Sequence, residues 1–285
     1  MSDRFERQRA LFGDEGQGRI SNCQVAVIGA GGLGCFVAME LAYLGVGRIA
    51  IVDPDCLERS NRNRLVGGWD SHEDGEAKVS IAHQLVERID PNIEVDAITA
   101  KFPDPVALEA IKNADYVMGC VDRDGVRLEL NEFICREDLR LVDAASDTLP
   151  DGDVLAYGGR VCCVFPETGC LVCLQVLDPA SIQAEFASPE QQADWKAIYG
   201  VERSDLGESG PSVVSVNGVV ASLAVTEFMV AVTGLRAPFA KLEYLAHRGV
   251  VLRSLDSGDP QCYFCSMRLL GRIDEKNGRI TSVET

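Results

Sequence analysis

The sequence predicts an α/β fold: a Rossmann-like, doubly wound, mostly parallel sheet that gains antiparallel strands towards its C-terminal end. Three observations predict it. Residues 20–150 alternate short β-branched runs with helically spaced apolar patterns, as βαβ units do. A glycine-rich turn joins the first strand-like run to the first helical one. Beyond residue 150 the alternation gives way to consecutive strand-like runs without helices between them.

The elements follow in order. Gln24-Val25-Ala26-Val27-Ile28 reads as a buried strand, and Gly32 to Gly45 as a helix with Gly45 at its C-cap. Ile49 to Val52 is a second strand. Lys78 to Ile89 is helical by apolar spacing and ends before Asp90-Pro91, since the residue before proline disfavours the helical region. Ile93 to Ile98, Tyr116 to Val121 and Leu141 to Ala145 are further strands, with a helix over Gly125 to Arg136 between the last two. Val154 to Gly159 and Val161 to Phe165 are expected as separate antiparallel strands, broken at Gly158-Gly159-Arg160. Residues 178–210 are polar and weakly periodic, with a helical patch at Gln191 to Ile198, and are expected to be mobile. A long apolar helix over Val213 to Thr233 and a strand over Val250 to Leu255 complete the chain.

Hydrophobic residues make up 46% and charged residues 25% of the 285, the balance of a globular chain with a sizeable core. The formal charge of −17 argues against nucleic acid or anionic membrane as a partner. Eleven cysteines, an odd number, behind a charged N-terminus without an apolar run point to free thiols, a reducing compartment and a cytoplasmic protein. The apolar stretch from Val213 to Val232 contains Asn217 and Glu227, which favours a buried core helix over a membrane span.

Gly29-Ala30-Gly31-Gly32-Leu33-Gly34 follows a strand and opens a helix, where small residues let backbone amides approach a phosphate. Asp53 ends the second strand, nineteen residues on, placed to accept hydrogen bonds from a ribose. A nicotinamide-dependent dehydrogenase shares these features, as does a glycine turn needed only for packing. The segment Asp53 to Arg64 argues against the dehydrogenase. Its Ser60-Asn61-Arg62-Asn63-Arg64 cluster, and Lys78 at the start of a helix, supply cations suited to a triphosphate. Asp122 follows a buried strand at the edge of the ligand crevice, where a carboxylate suits Mg2+.

Taken in order, these segments resemble the E1-like adenylyltransferases, the family of ThiF, MoeB and HesA proteins and of the ubiquitin-activating enzymes. The resemblance rests on Arg7-Gln8, the glycine loop, Asp53 to Arg64, Gly75-x-x-Lys78, Asp122 with Arg127 and Asn131, and two Cys-x-x-Cys pairs, across residues 4–270. It implies one adenylation domain over 1–285, with a nucleotide-binding half at 20–150 and a zinc-tethered half at 151–285. It further implies that Gly29, Gly31, Gly32 and Gly34 form the ATP loop, that Asp53 binds ribose, and that Asn61, Arg64 and Lys78 contact phosphates. Asp122 would hold Mg2+, and Arg7 would reach across a homodimer into the neighbouring site. Leu65 stands where the family carries glutamine.

Cys170-x-x-Cys173 and Cys262-x-x-Cys265 have 88 residues between them. Chemically they suit either a four-thiolate structural Zn2+ site or redox-active pairs; the resemblance implies zinc. Family members that form a thioester carry a cysteine after the first pair, but residues 174–210 contain none. The resemblance therefore implies adenylation of the Gly-Gly C-terminus of a small ubiquitin-like protein, without a thioester at that segment. Ser209 to Gly218 departs from the sulfur-carrier form, which favours a bacterial conjugation pathway with an E2-like partner. The alternatives are a sulfur carrier of thiamin or molybdopterin synthesis, a non-catalytic nucleotide-binding scaffold and the dehydrogenase.

Overall fold

A computed structural model describes residues 4–151, 154–187, 212–255, 258–259 and 261–268. Along the chain lie α1 (Glu6–Asn22), β1 (Gln24–Ile28), α2 (Gly34–Leu44), β2 (Arg48–Val52), α3 (Lys78–Ile89) and β3 (Glu94–Ile98). Then come α4 (Pro105–Lys112), β4 (Tyr116–Gly119), α5 (Asp124–Arg136), β5 (Leu141–Asp151) and β6 (Val154–Val164). The remainder is α6 (Pro179–Phe186), α7 (Val214–Thr233), β7 (Lys241–Leu245) and β8 (Val250–Arg253).

All eight strands join one sheet in the order β3-β2-β1-β4-β5-β6-β7-β8. Pairing is parallel from β3 to β5 and antiparallel from β5 to β8. Alternate side chains of one strand point to opposite faces. Val25 and Val27 accordingly pack with α2, α3 and α7 in one core, while Ala26 and Ile28 pack with α4 and α5 in another. The strand order reverses at the β1–β4 boundary, and doubly wound sheets bind ligands outside the carboxyl ends of strands at such a boundary.

The predicted fold class is observed, with specific departures. β6 runs unbroken through Gly158 and Gly159. A Cβ at Gly158 would overlap the Tyr244 carbonyl, and one at Gly159 would press on Ala145 and on Val220 of α7. The glycines allow neighbours to come close and do not end the strand. The β5–β6 pairing instead extends out to Asp151 and Val154. Within 178–210, residues 179–186 form α6, capped by the Asp178 carboxylate, which accepts from the amides of Ala180 and Ser181. The patch at 191–198 lies outside the described residues. α1, α4 and β7 had not been expected from the sequence.

Among the described residues α7 is the one helix long and apolar enough to cross a membrane. Half of its most apolar stretch is buried in the protein. Its Glu227, 1% exposed, accepts two hydrogen bonds from Arg236 at 2.6 and 2.9 Å and one from the Phe239 amide at 2.8 Å. Those polar groups are satisfied within the fold, as a core helix requires.

Candidate active site

The glycine loop leaves β1 at the strand-order reversal. Gly29 has φ +98, a conformation L side chains rarely adopt, and a Cβ there would lie 2.6 Å from the Cys120 carbonyl oxygen. At Gly34 a Cβ would overlap the Gly29 carbonyl. Gly31 differs: a Cβ there meets nothing within 4 Å, so this glycine faces open space. The loop thus needs two glycines for its own path and presents a third outward, just before the positive end of α2.

Asp53, 6% exposed, fastens this loop to β2. Its Oδ2 accepts from the Ala30 amide at 2.6 Å and its Oδ1 from the Asp55 amide at 2.8 Å. Burial raises its pKa, and those amide hydrogen bonds pull it back down. A ribose would meet the lone pairs that remain.

Three of the expected phosphate contacts come from the segment after β2 and from α3. Lys78, first residue of α3, pairs with Asp55 at 2.9 Å, its side chain 11% exposed. Arg64 donates to the Ser60 carbonyl at 2.7 Å. A Cβ on Gly32 would lie 3.1 Å from Arg64 Cγ, so this arginine borders the glycine loop. Asn61 spends its Oδ1 on the Glu58 amide in a capping box, leaving its amide nitrogen towards Ser60. Arg62 is committed elsewhere, to Asp74 and to the carbonyls of Trp69 and His72. Leu65 is buried in the core and offers no polar contact.

Asp122 stands exposed beyond β4 and makes no side-chain hydrogen bond or ion pair among the described residues. Behind it lies a network that sequence reading did not find. Arg127 of α5, 5% exposed, donates to the Val121 carbonyl at 2.5 Å and pairs with Asp124 at 2.9 Å and Asp143 at 3.6 Å. Asp143 is fully buried, and burial raises its pKa against the pull of Arg127 and Arg160. Asn131, grouped by motif with Arg127, accepts from the Leu171 amide at 2.8 Å and so tethers α5 to the cysteine turn. Asn217 of α7 was also missed: a Cβ on Gly32 would lie 2.7 Å from its Nδ2. A polar side chain inside an apolar helical run was the signal available for it.

Arg7 is exposed and lies away from its own glycine loop. Beside it, Gln8 donates to the Tyr43 carbonyl at 2.9 Å and Phe5 packs on Gly45, both at the far end of α2. The eleven residues of α2 span about 16 Å at 1.5 Å per residue.

The two Cys-x-x-Cys pairs do converge. Sulfur separations are 3.7 Å for Cys170–Cys173 and 3.6 Å for both Cys170–Cys262 and Cys173–Cys265. All four sulfurs lie within 4.8 Å of one another. A tetrahedral zinc with bonds of about 2.3 Å separates its sulfurs by about 3.8 Å, so the thiols fit that ion. The Asp259 amide donates to Cys173 Sγ at 3.4 Å, as amides do to metal-bound thiolates. Elsewhere, burial pushes the Cys35 and Cys162 thiols up to about 12, which leaves them poor nucleophiles.

The ThiF family model matches residues 5–265. The chain belongs to the ThiF family. The family resemblance read from the motifs is thereby borne out. The SAMP-activating enzyme E1 of Haloferax volcanii is 33% identical over 60% of this chain and 61% of that protein. The sulfur carrier protein ThiS adenylyltransferase of Escherichia coli is 26% identical over 91% of this chain and 94% of its own length. The chain spans less than two thirds of the first of these and nearly all of the second. Among solved structures, Escherichia coli MccB with ATP superposes with a TM-score of 0.69 at 19% identity, over 93% of this chain and 75% of that one. That likeness bears on the fold alone.

Proposed function

We propose that this chain is an ATP-dependent adenylyltransferase acting on the C-terminal carboxylate of a small sulfur-carrier protein whose tail ends in Gly-Gly. The observation that carries this reading is one of charge placement. Around the outward-facing Gly31, Lys78 and Arg64 supply cations on the β2 side and Asp122 a free carboxylate on the β4 side. Cations suit a triphosphate, and an exposed carboxylate beside it suits the Mg2+ that would accompany ATP.

A carboxylate oxygen of the tail attacks the α-phosphorus, and the bond to the bridging oxygen breaks to release pyrophosphate. Arg64 and Lys78 neutralise charge on the departing group, Lys78 exchanging Asp55 for phosphate. Asp53 orients the ribose, and the glycine loop donates amides. Asp122 would hold the Mg2+ that accompanies ATP, an ion whose chemistry would be to screen phosphate charge. Arg7 is supplied by the second subunit of a homodimer. The four thiols hold a structural zinc, because a closed four-ligand site leaves no position for substrate.

The near-full-length match to a ThiS adenylyltransferase favours a sulfur carrier over the conjugation pathway suggested by residues 209–218. The relation to a SAMP-activating enzyme supports a modifier protein as the second reading. Family membership displaces the dehydrogenase.

Pyrophosphate–ATP exchange tests the proposal. Exchange is expected only with Mg2+ and a Gly-Gly-tailed carrier, and is lost in Asp122→Ala. Equal stimulation by a carrier trimmed of its two glycines would overturn the substrate assignment, and undiminished exchange in Asp122→Ala would remove that residue from the metal site.

A further inference from the structure

We infer that Asp143 is a positioning residue for the metal-binding loop, acting through Arg127 on the backbone that carries Asp122. The inference rests on the reading of Asp122 as the Mg2+ ligand.

Asp143 lies on β5 and pairs in register with Gly119, the last residue of β4. Its carboxylate occupies the space a side chain at that position would fill: a Cβ on Gly119 would lie 2.9 Å from Asp143 Oδ1. The group is fully buried, and neither of its oxygens has a hydrogen-bond partner among the described residues. What faces it is charge. Arg127 Nε stands 3.6 Å away and is likewise without a hydrogen-bond partner among the described residues. A buried carboxylate held by an ion pair alone is a poor stabiliser, since the attraction little more than offsets the lost hydration. It does fix direction. With Nε drawn towards Asp143, the other end of the planar guanidinium is aimed at the Val121 carbonyl (2.5 Å) and at Asp124 (2.9 Å).

Those two residues bracket Asp122 at one position before and two after. Asp124 extends the chain of contacts, because its Oδ2 accepts from the Asp178 amide at 2.8 Å, immediately before α6. Arg160 adds a second cation, 3.9 Å from Asp124 and paired with Asp147. The strand, the metal loop and the base of the 178–210 segment are therefore held by one set of charges centred on the buried Arg127–Asp143 pair. Removing the Asp143 charge frees Nε and lets the guanidinium turn towards Asp124, which loosens its hold on Val121.

The test reads metal binding and not turnover. ATP affinity is measured by calorimetry on the full chain with and without Mg2+, in wild type, Asp143→Asn, Gly119→Ala and Asp122→Ala, with thermal unfolding recorded for each. Gly119→Ala keeps every charge and presses most closely on the Asp143 carboxylate, with lesser contacts to Leu141 and Leu130, so it carries the test should Asp143→Asn fail to fold. Both variants are expected to bind ATP normally without Mg2+ and to need about tenfold more Mg2+ for its effect, the scale seen when outer partners of a metal ligand are changed. An unchanged Mg2+ effect in both, even with a lowered melting temperature, would make Asp143 merely structural and overturn the inference. An unchanged Mg2+ effect in Asp122→Ala would overturn the metal reading itself and this inference with it.

Discussion

Each residue at the glycine loop answers a different demand, and substitutions separate them. Gly34→Ala puts a methyl group onto the Gly29 carbonyl and should cost about 1–3 kcal/mol of stability, the usual scale of overpacking. Gly31→Ala enters open space and should unfold at the wild-type urea midpoint, yet lose ATP affinity by calorimetry because the methyl points where phosphate would lie. Asp53 supplies a pH signature. Its folded pKa is raised, so the folded chain holds that proton more tightly than the unfolded one. Its contribution is full below the unfolded carboxylate pKa of about 3.9 and is lost as pH rises through the folded value. Urea midpoints measured upward from pH 4 should therefore fall less steeply in Asp53→Asn than in wild type.

Between elements, legibility followed the range of the interaction. Gly45 in the left-handed conformation ends α2, and Pro91 follows the end of α3, where sequence placed both stops. Such signals act within a turn of the chain. The Gly158-Gly159 pair misled because its reason is non-local: β7 and α7 press on it from far along the sequence. The thiol cluster joins elements in the same non-local way, bringing the turn at 170–173 onto 262–265. Purified protein should hold about one zinc per chain, measured by elemental analysis. Cys262→Ser should lower the melting temperature while leaving ATP affinity nearly intact, since the cluster lies among α5 and the end of β6 and not at the glycine loop. A metal-free protein with an unchanged melting temperature would remove the zinc assignment.

For the molecule as a whole, the placement of Arg7 decides the kind of assembly to look for. Phe36, Val214, Val219 and Leu223 line an open apolar groove between α2 and α7, with Tyr43 and Met229 continuing it towards Gln8. A second copy seated there would bury apolar surface, and in a two-fold dimer any residue one subunit donates to its neighbour's site is donated in both directions. Arg7→Ala and Asp122→Ala proteins should each be inactive in pyrophosphate exchange and recover part of the activity when mixed. One site of a mixed dimer would then own an intact Asp122 and receive an intact Arg7. No recovery after verified subunit exchange would place Arg7 within its own chain, or outside the reaction.

The alternation of strand and helix, the glycine turn, Asp53 at the end of β2 and the order of the motifs could be read from residues alone, because each depends on near neighbours and on the period of the backbone. Convergence was another matter. The meeting of the four cysteines within 4.8 Å was expected through the family resemblance, whereas that Asp143 fills the slot left by Gly119 and that Asn217 reaches the glycine loop from α7 are properties of packing. Nothing local in the chain encodes them, since partners separated by tens of residues are chosen by which faces can be buried together, and only the folded sheet brings those faces into contact.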